Sequence, residues 1–264
     1  MITLTAPRGP ATLTQAVENS LTMAGRGLLR MRRTPEQFAD ALLEPVLFTV
    51  MFAYIFGGAI AGGVQGYLPF FIPGILVMSV IMTTVMTGMQ LREDIDKGVF
   101  DRFRSMPIAR SAPLAGALLA DTIRYAIATV MTCLTGFAIG WRPAGGIVGV
   151  ILAGMLVIAC SWAVSWIFAL VGVLARTPAT VQGASFLVLF PLAFLSNAFV
   201  PARTLPGWLQ GFVAVNPISH LIMAARELTG GVSAGPDVWW ALLGAAAIVA
   251  VFAPLTVRAY MRKV

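Results

Sequence analysis

Between Glu44 and Arg92 the chain carries no charged side chain for 47 consecutive residues. Crossing about 30 Å of hydrocarbon takes about 20 apolar residues in a helix, so a stretch of this length predicts two membrane spans and a turn. Gly57-Gly58 and Gly62-Gly63 mark the turn. The rest of the chain is built the same way: 58% of its 264 residues are hydrophobic and only 11% are charged, against about 25% charged in a soluble domain. The expected fold is an all-α polytopic membrane protein with six transmembrane helices, near 41–60, 68–91, 112–140, within 145–174, 180–200 and 238–257.

Most of the charges are gathered at the ends and in one island, 91–110, with the sequence LREDIDKGVFDRFRSMPIAR. A mixed-charge run between two spans projects into water. Ile95, Val99 and Phe103 recur every four residues on one stripe, and Glu93–Lys97 and Lys97–Asp101 are i,i+4 pairs. Such pairs contribute about 0.2–0.5 kcal/mol each to an exposed helix. The pattern predicts a short amphipathic helix over about 92–106, stopped by Pro107. From pattern alone it is either a solvated loop that orients the protein or a docking element for a soluble partner.

Ahead of the first span, Leu13, Val17, Leu21, Ala24, Leu28 and Met31 form a helical stripe, with Arg26, Arg30 and Arg33 on another face. This is the pattern of a helix lying in the membrane interface, within a first unit of residues 1–40 that precedes the membrane domain 41–264. No apolar run of signal-peptide length occurs in 1–40, so no cleaved leader is expected. Thr34-Pro35-Glu36-Gln37 is a helix start, with Thr34 as cap and Pro35 at the first helical position. With the N-terminus inside, fourteen of the 18 Lys and Arg fall on the cytoplasmic side, while Arg142, Arg203 and Arg226 fall outside. That bias places both termini and the charged island in the cytoplasm. It also accounts for the net charge of +7 without any nucleic-acid partner.

The segment 201–237 is too long for a turn and too apolar for a free loop. Trp208, Leu209, Phe212 and Val213 make one stripe; Ile218, Leu221, Ile222 and Ala225 make another, with Pro206, Asn216-Pro217 and Gly230-Gly231 as interruptions. Two short extracytoplasmic helices that dip back into the bilayer are expected. Irregular backbone at that depth is tolerable only where protein or water satisfies it.

Chemistry-bearing residues are few. The two lysines follow Asp96 and Arg262, so no Gly-Lys-Ser/Thr phosphate loop is present and the chain holds no nucleotide by that route. Asp121 and Arg124 share a face of the third span at i,i+3. They read either as an intramembrane ion pair or as a gate in which Asp121 meets a cation. His220, the single histidine, is expected to hydrogen-bond within the outer helices. Trp162 and Trp166 share a face of the fourth span and read as packing or as a stacking site for an aromatic solute; Pro191 implies a kink in the fifth. Cys133 and Cys160 lie in apolar spans and imply neither a disulfide nor a metal.

IPGILVMSVIM at 72–82, DIDKGVFDRFRSMPI at 94–108, FLSNAFVPARTLPGWLQGF at 194–212 and NPISH at 216–220 together resemble the membrane subunits of bacterial type-2 ABC exporters, in particular the daunorubicin/doxorubicin-resistance permeases. The resemblance runs from about residue 20 onward. It implies a plasma-membrane permease that pairs with a separate ATPase, which binds ATP and Mg, in a complex of two permeases and two ATPases. It implies that the island is the coupling helix, with Asp96, Lys97, Gly98, Asp101, Arg102 and Arg104 at the matching positions. It also implies that the outer hairpin, with Pro206, Trp208, Asn216, Pro217 and His220, caps the path. The expected function is export of a hydrophobic or amphipathic substrate, a drug by resemblance or else a lipid or other natural product, with no catalytic, cofactor or metal site in the chain itself. Two other classes compete. A gradient-driven transporter needs membrane carboxylates, of which Asp121 is the one available; an intramembrane enzyme needs a catalytic constellation that one histidine does not provide.

Overall fold

The computed structural model describes residue 18 and residues 22–25, 35–99, 112–232 and 235–263. Every regular element among the described residues is helical. In chain order these are α1 Pro35–Ala61, α2 Val64–Asp96, α3 Ala112–Ala138, α4 Gly146–Leu174, α5 Pro178–Phe194, a single 3-10 turn Ala202–Thr204, α6 Gly207–Val215, α7 Pro217–Thr229 and α8 Pro236–Lys263. Five of them, α1, α2, α3, α4 and α8, are long and apolar enough to cross a membrane; α5 is a shorter apolar helix of 17 residues. The N-terminal interface helix expected over 13–33 falls almost wholly outside the described residues.

The long uncharged stretch becomes α1 and α2, reversed at Gly62, whose φ of 68° suits glycine alone at little cost. α2 is the central helix: 72% of its apolar window is inside the protein, against 22% for α1 and 11% for α8. Leu68, Phe71, Ile72, Leu76, Val77 and Val80 are all fully enclosed on it. Where α2 crosses α4, glycines face one another. A Cβ on Gly88 would run into the carbonyl of Phe168, and one on Gly172 into the carbonyl of Gly88. Small residues that let backbones approach are how helices associate in a solvent as apolar as themselves.

Two boundaries differ from the sequence reading. α2 runs through Arg92–Asp96, so the first turns of the charged island continue a span. The helix stops at Lys97, and Gly98 turns left-handed at φ 62°. Residues 100–111, with Asp101, Arg102 and Arg104, lie outside the described residues. The fifth span, expected to reach residue 200, ends at Phe194. Pro191 has no N–H to give the carbonyl one turn back, and Ser196 Oγ then takes the Ala193 carbonyl at 2.5 Å while accepting from the Ala198 N–H at 3.2 Å. A side chain that offers the backbone these alternatives competes with the helix ladder. Residues 195–200 are therefore irregular, and they are the part of the fold that matters most below.

The start of α5 is fixed by Thr177, whose hydroxyl accepts from Thr180 N–H at 3.2 Å, followed by Pro178. α7 starts by the same logic: Asn216 Oδ1 accepts from Ile218 N–H at 2.9 Å and Pro217 takes the first position. Asn216-Pro217, read as an interruption, is thus also a start.

Candidate functional site

α1, α2 and α5 enclose a groove of about 540 Å³. Its α1 wall carries Phe48 and Phe52, its α5 wall Phe186, Phe190 and Phe194, and Phe199 from the irregular segment closes one end. α2 supplies Met78, Met82, Met86 and Met89. Each set follows from helical spacing: 48 and 52, or 186, 190 and 194, are one turn apart and share a face. Ser79, Thr83, Gln90 and Gln182 add neutral polar groups, and Arg124 reaches the wall from α3. Because α1 and α2 are antiparallel, Glu44 near the start of one and Glu93 near the end of the other lie at the same end, opposite Phe199. The site is a slot of aromatic and polarisable surface with acidic groups at one mouth. Methionine and phenylalanine suit it to apolar ligands of irregular shape.

The Phe199 end is the most constrained. Its ring centroid lies 5.1 Å from that of Phe52, 5.8 Å from Phe194 and 6.3 Å from both Phe56 and Phe71. Its backbone carbonyl accepts from the Tyr67 hydroxyl at 2.6 Å. The two carbonyls before it, of Asn197 and Ala198, accept from Arg226 Nη2 at 2.7 and 3.2 Å, while Arg226 Nε donates to the Phe70 carbonyl at 2.9 Å. The Arg226 guanidinium carbon sits 3.6 Å from the Phe70 ring centroid, within cation–π range. Burial draws the Arg226 pKa down to about 9, which leaves it charged at neutral pH. Asn216 Nδ2 donates to the Leu192 carbonyl at 2.6 Å, so the α5 exit is held from α7 as well.

In the middle of the bundle, Asp121 Oδ1 and Arg124 Nη1 lie 3.2 Å apart, with side chains 6% and 9% exposed. With its amide oxygen turned toward Arg124, Gln90 accepts from Nη2 at 2.8 Å. Thr87 Oγ1 and the Tyr125 hydroxyl share a hydrogen bond of 3.0 Å beside them. Trp162 and Trp166 meet edge to face at 5.8 Å and do not line the groove; Trp166 belongs to a second apolar cluster with Leu91, Leu114 and Tyr260. At the charged end of α2, Arg92 pairs with Asp96 and donates to the Ala175 carbonyl at 2.9 Å, and Lys97 pairs with Glu93 at 3.1 Å. The Arg92 link ties the end of α2 to the turn that leads into α5. In the 201–237 segment, His220 Nδ1 lies 2.6 Å from Asp237 Oδ1 and its Nε2 lies 3.0 Å from the Ala214 carbonyl. Pro206 precedes α6, whose Trp208 is exposed. Among the described residues no three His, Cys, Asp or Glu side chains are grouped to hold a metal.

Of the residues singled out in the sequence, those that are described lie at the end of α2, in the α3 ion pair, in the α4 tryptophan pair and in the outer helices. The groove takes Glu93 and Arg124 from these and is otherwise built mostly from phenylalanines and methionines to which the sequence reading gave no role. The repeats Phe48/Phe52/Phe56 and Phe186/Phe190/Phe194 were the available signal.

Five helices of spanning length, bundled with a groove walled by phenylalanine and methionine, define a multi-pass membrane protein. The sequence matches the ABC-2 type transporter family over residues 18–229, and the chain belongs to that family. It is 46% identical over 260 residues to the daunorubicin resistance ABC transporter permease protein DrrB1 of Streptomyces coeruleorubidus, covering 98% of this chain and 92% of that protein. It is 27% identical over 134 residues to the probable doxorubicin resistance ABC transporter permease protein DrrC of Mycobacterium tuberculosis H37Rv, covering 51% and 48% of the two chains. A match of 27% over 143 residues links it to the doxorubicin resistance ABC transporter permease protein DrrB of the same strain, with 54% and 50% covered. The protein is an ABC-2 permease.

Proposed function

We propose that this chain is the membrane half of an ATP-driven drug exporter in a bacterial inner membrane. In this reading it spans six times, with α5 as the short fifth span. Both termini are cytoplasmic, and two copies work with two separate ATPase subunits that bind ATP and Mg. The groove is the path for a hydrophobic or amphipathic drug, entered from the end marked by Glu44 and Glu93 and left past Phe199. The chain itself performs no catalysis and holds no cofactor.

The observation that carries this is the groove. Its walls are phenylalanine and methionine for most of its length, in a chain whose relative DrrB1 bears the name of daunorubicin resistance. Coupling is assigned to Asp96, Lys97, Gly98, Asp101, Arg102 and Arg104. Support for it comes from the charge of that segment and from the Arg92 link between the end of α2 and Ala175, through which a push on the island would be felt at the entry to α5. Asp121 and Arg124 act as a structural pair in the bundle. Pro206, Trp208, Asn216, Pro217 and His220 belong to the outer cap. Residues 1–40 form the interface unit and 41–264 the membrane domain.

The test is co-purification with its cognate ATPase, followed by ATP hydrolysis and daunorubicin uptake in inside-out proteoliposomes. A stable complex whose hydrolysis and uptake rise together, and whose assembly fails when Asp101 and Arg102 are both replaced by alanine, is the expected result. A chain that purifies alone and moves drug without ATP would overturn it.

A further inference from the structure

We infer that Phe199 is the plug at the outer end of this path, and that Tyr67 and Arg226 are positioning residues that keep it shut by holding the backbone of residues 197–199. The inference rests on the reading of the groove as the path.

Phe199 is where the groove stops. On its inner side are Phe52 and Phe194, which line the slot; on its other side are Phe56 and Phe71, which do not. A ring at that place stands across that end of the groove. The segment that carries it is irregular backbone inside a bundle, so its carbonyls need donors from elsewhere. Three consecutive carbonyls find them in side chains of other helices: those of Asn197 and Ala198 in Arg226 of α7, and that of Phe199 in Tyr67 of α2. The seat is cut to fit, since Gly74 leaves room for the Ala198 carbonyl that any Cβ there would strike.

Such a joint has two properties that a continuous helix lacks. Its closed form depends on a few side-chain donors, so it can be released without unwinding a helix. Its two holders sit on different elements, so relative motion of α2 and α7 loosens it. Asn197 Oδ1 is buried with no hydrogen-bond partner among the described residues. A polar atom left so carries a cost in the closed form that an arrangement exposing it to water removes.

The experiment uses the full complex in lipid vesicles, in a chain with Cys133→Ala and Cys160→Ala, and reads labelling of Ser79→Cys, on the groove wall inward of an intact Phe199, by a membrane-impermeant maleimide applied to the outer face. The expected result is slow labelling at rest and faster labelling during ATP turnover. Adding Tyr67→Phe, which removes one hydroxyl and leaves the ring packed, raises the resting rate about two- to tenfold, the scale of one buried hydrogen bond. Arg226→Gln raises it further. A merely structural role for Tyr67 would change thermal stability and leave the labelling ratio between rest and turnover as it was. Equal labelling at rest and in turnover, unchanged by Tyr67→Phe, would overturn the plug. Daunorubicin uptake by the parent chain is measured alongside. Failure of uptake with nucleotide-dependent labelling intact sinks the drug-export reading and leaves the gate standing; normal uptake with constant labelling does the reverse.

Discussion

Replacing Asp121 by asparagine strands a buried arginine. The two side chains are 6% and 9% exposed and their charged atoms are 3.2 Å apart, one turn along α3. At that separation two unit charges attract by roughly 5 kcal/mol even at an effective dielectric of about 20, most of which offsets the desolvation of both. Removing one partner loses the attraction and keeps the other's desolvation, a loss of about 3–5 kcal/mol. The asymmetry is the useful part. In Arg124→Gln the remaining carboxyl can take up a proton and become neutral, whereas in Asp121→Asn the guanidinium cannot shed its charge and keeps only Gln90 and the groove for company. Asp121→Asn should therefore destabilise the protein more than Arg124→Gln. The double variant Asp121→Asn/Arg124→Gln, with no charge to bury, should recover most of the loss. The assay is thermal unfolding in detergent, read as a double-mutant cycle, with inserted protein in membranes as the second readout. A cycle in which the two losses simply add would refute the reasoning, because residues this close and this dry must couple if the pair is what holds them.

Three further outcomes follow from particular contacts. Gly88→Ala should lower the unfolding temperature, since its Cβ meets the Phe168 carbonyl and overpacking costs about 1–3 kcal/mol, while Gly183→Ala, which meets nothing within 4 Å, should be neutral or stabilising. Asn216→Ala removes both the α7 cap and the donor to Leu192, so it should cost more than the roughly 1 kcal/mol of a cap alone, with Asn216→Asp falling between, as measured by the same unfolding assay. Gly98→Trp should abolish ATP-coupled drug uptake in proteoliposomes while the protein still inserts, because φ 62° is strained for tryptophan, and Gly98→Asn should keep much of the uptake.

The first two spans were legible because charge is expensive in lipid: 47 uncharged residues are long enough for two helices and a turn, and Gly62-Gly63 placed the turn. The starts of α5 and α7, at Thr177-Pro178 and Asn216-Pro217, follow local capping rules, but the sequence reading named the first not at all and took the second for an interruption. The groove was not legible, and the cause is the solvent. In water a helix shows its buried face as a stripe against a polar one; in a bilayer the lipid-facing residues are as apolar as the packed ones. Phe186 and Leu187 are both exposed and apolar on α5, yet the first lines the groove and the second does not. Periodicity states which residues share a face and is silent on which helix that face meets. The Phe199 segment was hidden for a second reason. Its holders, Tyr67 and Arg226, lie 132 and 28 residues or so away along the chain, and no spacing rule joins them.

α2 is the one element that touches every part of the proposed cycle. It begins beside the plug with Tyr67, gives the plug its seat at Gly74, forms the methionine wall of the groove and ends in the charged turn that holds Ala175 through Arg92. At 1.5 Å per residue its 33 residues extend about 50 Å, so a rigid helix would carry any displacement at Asp96 to Tyr67 undiminished. It is not uniformly rigid. Pro69 and Pro73 stand one turn apart between Tyr67 and the methionine wall, and each deprives a preceding carbonyl of its helical donor. The gap in the helix ladder therefore lies between the groove wall and the side chain that holds the plug. In the proposed cycle a push arriving from the charged end would meet the groove wall first and would reach the Tyr67 hydrogen bond only through the two prolines. In that cycle the order squeezes the path from its entry before the Tyr67 hold on its exit is released.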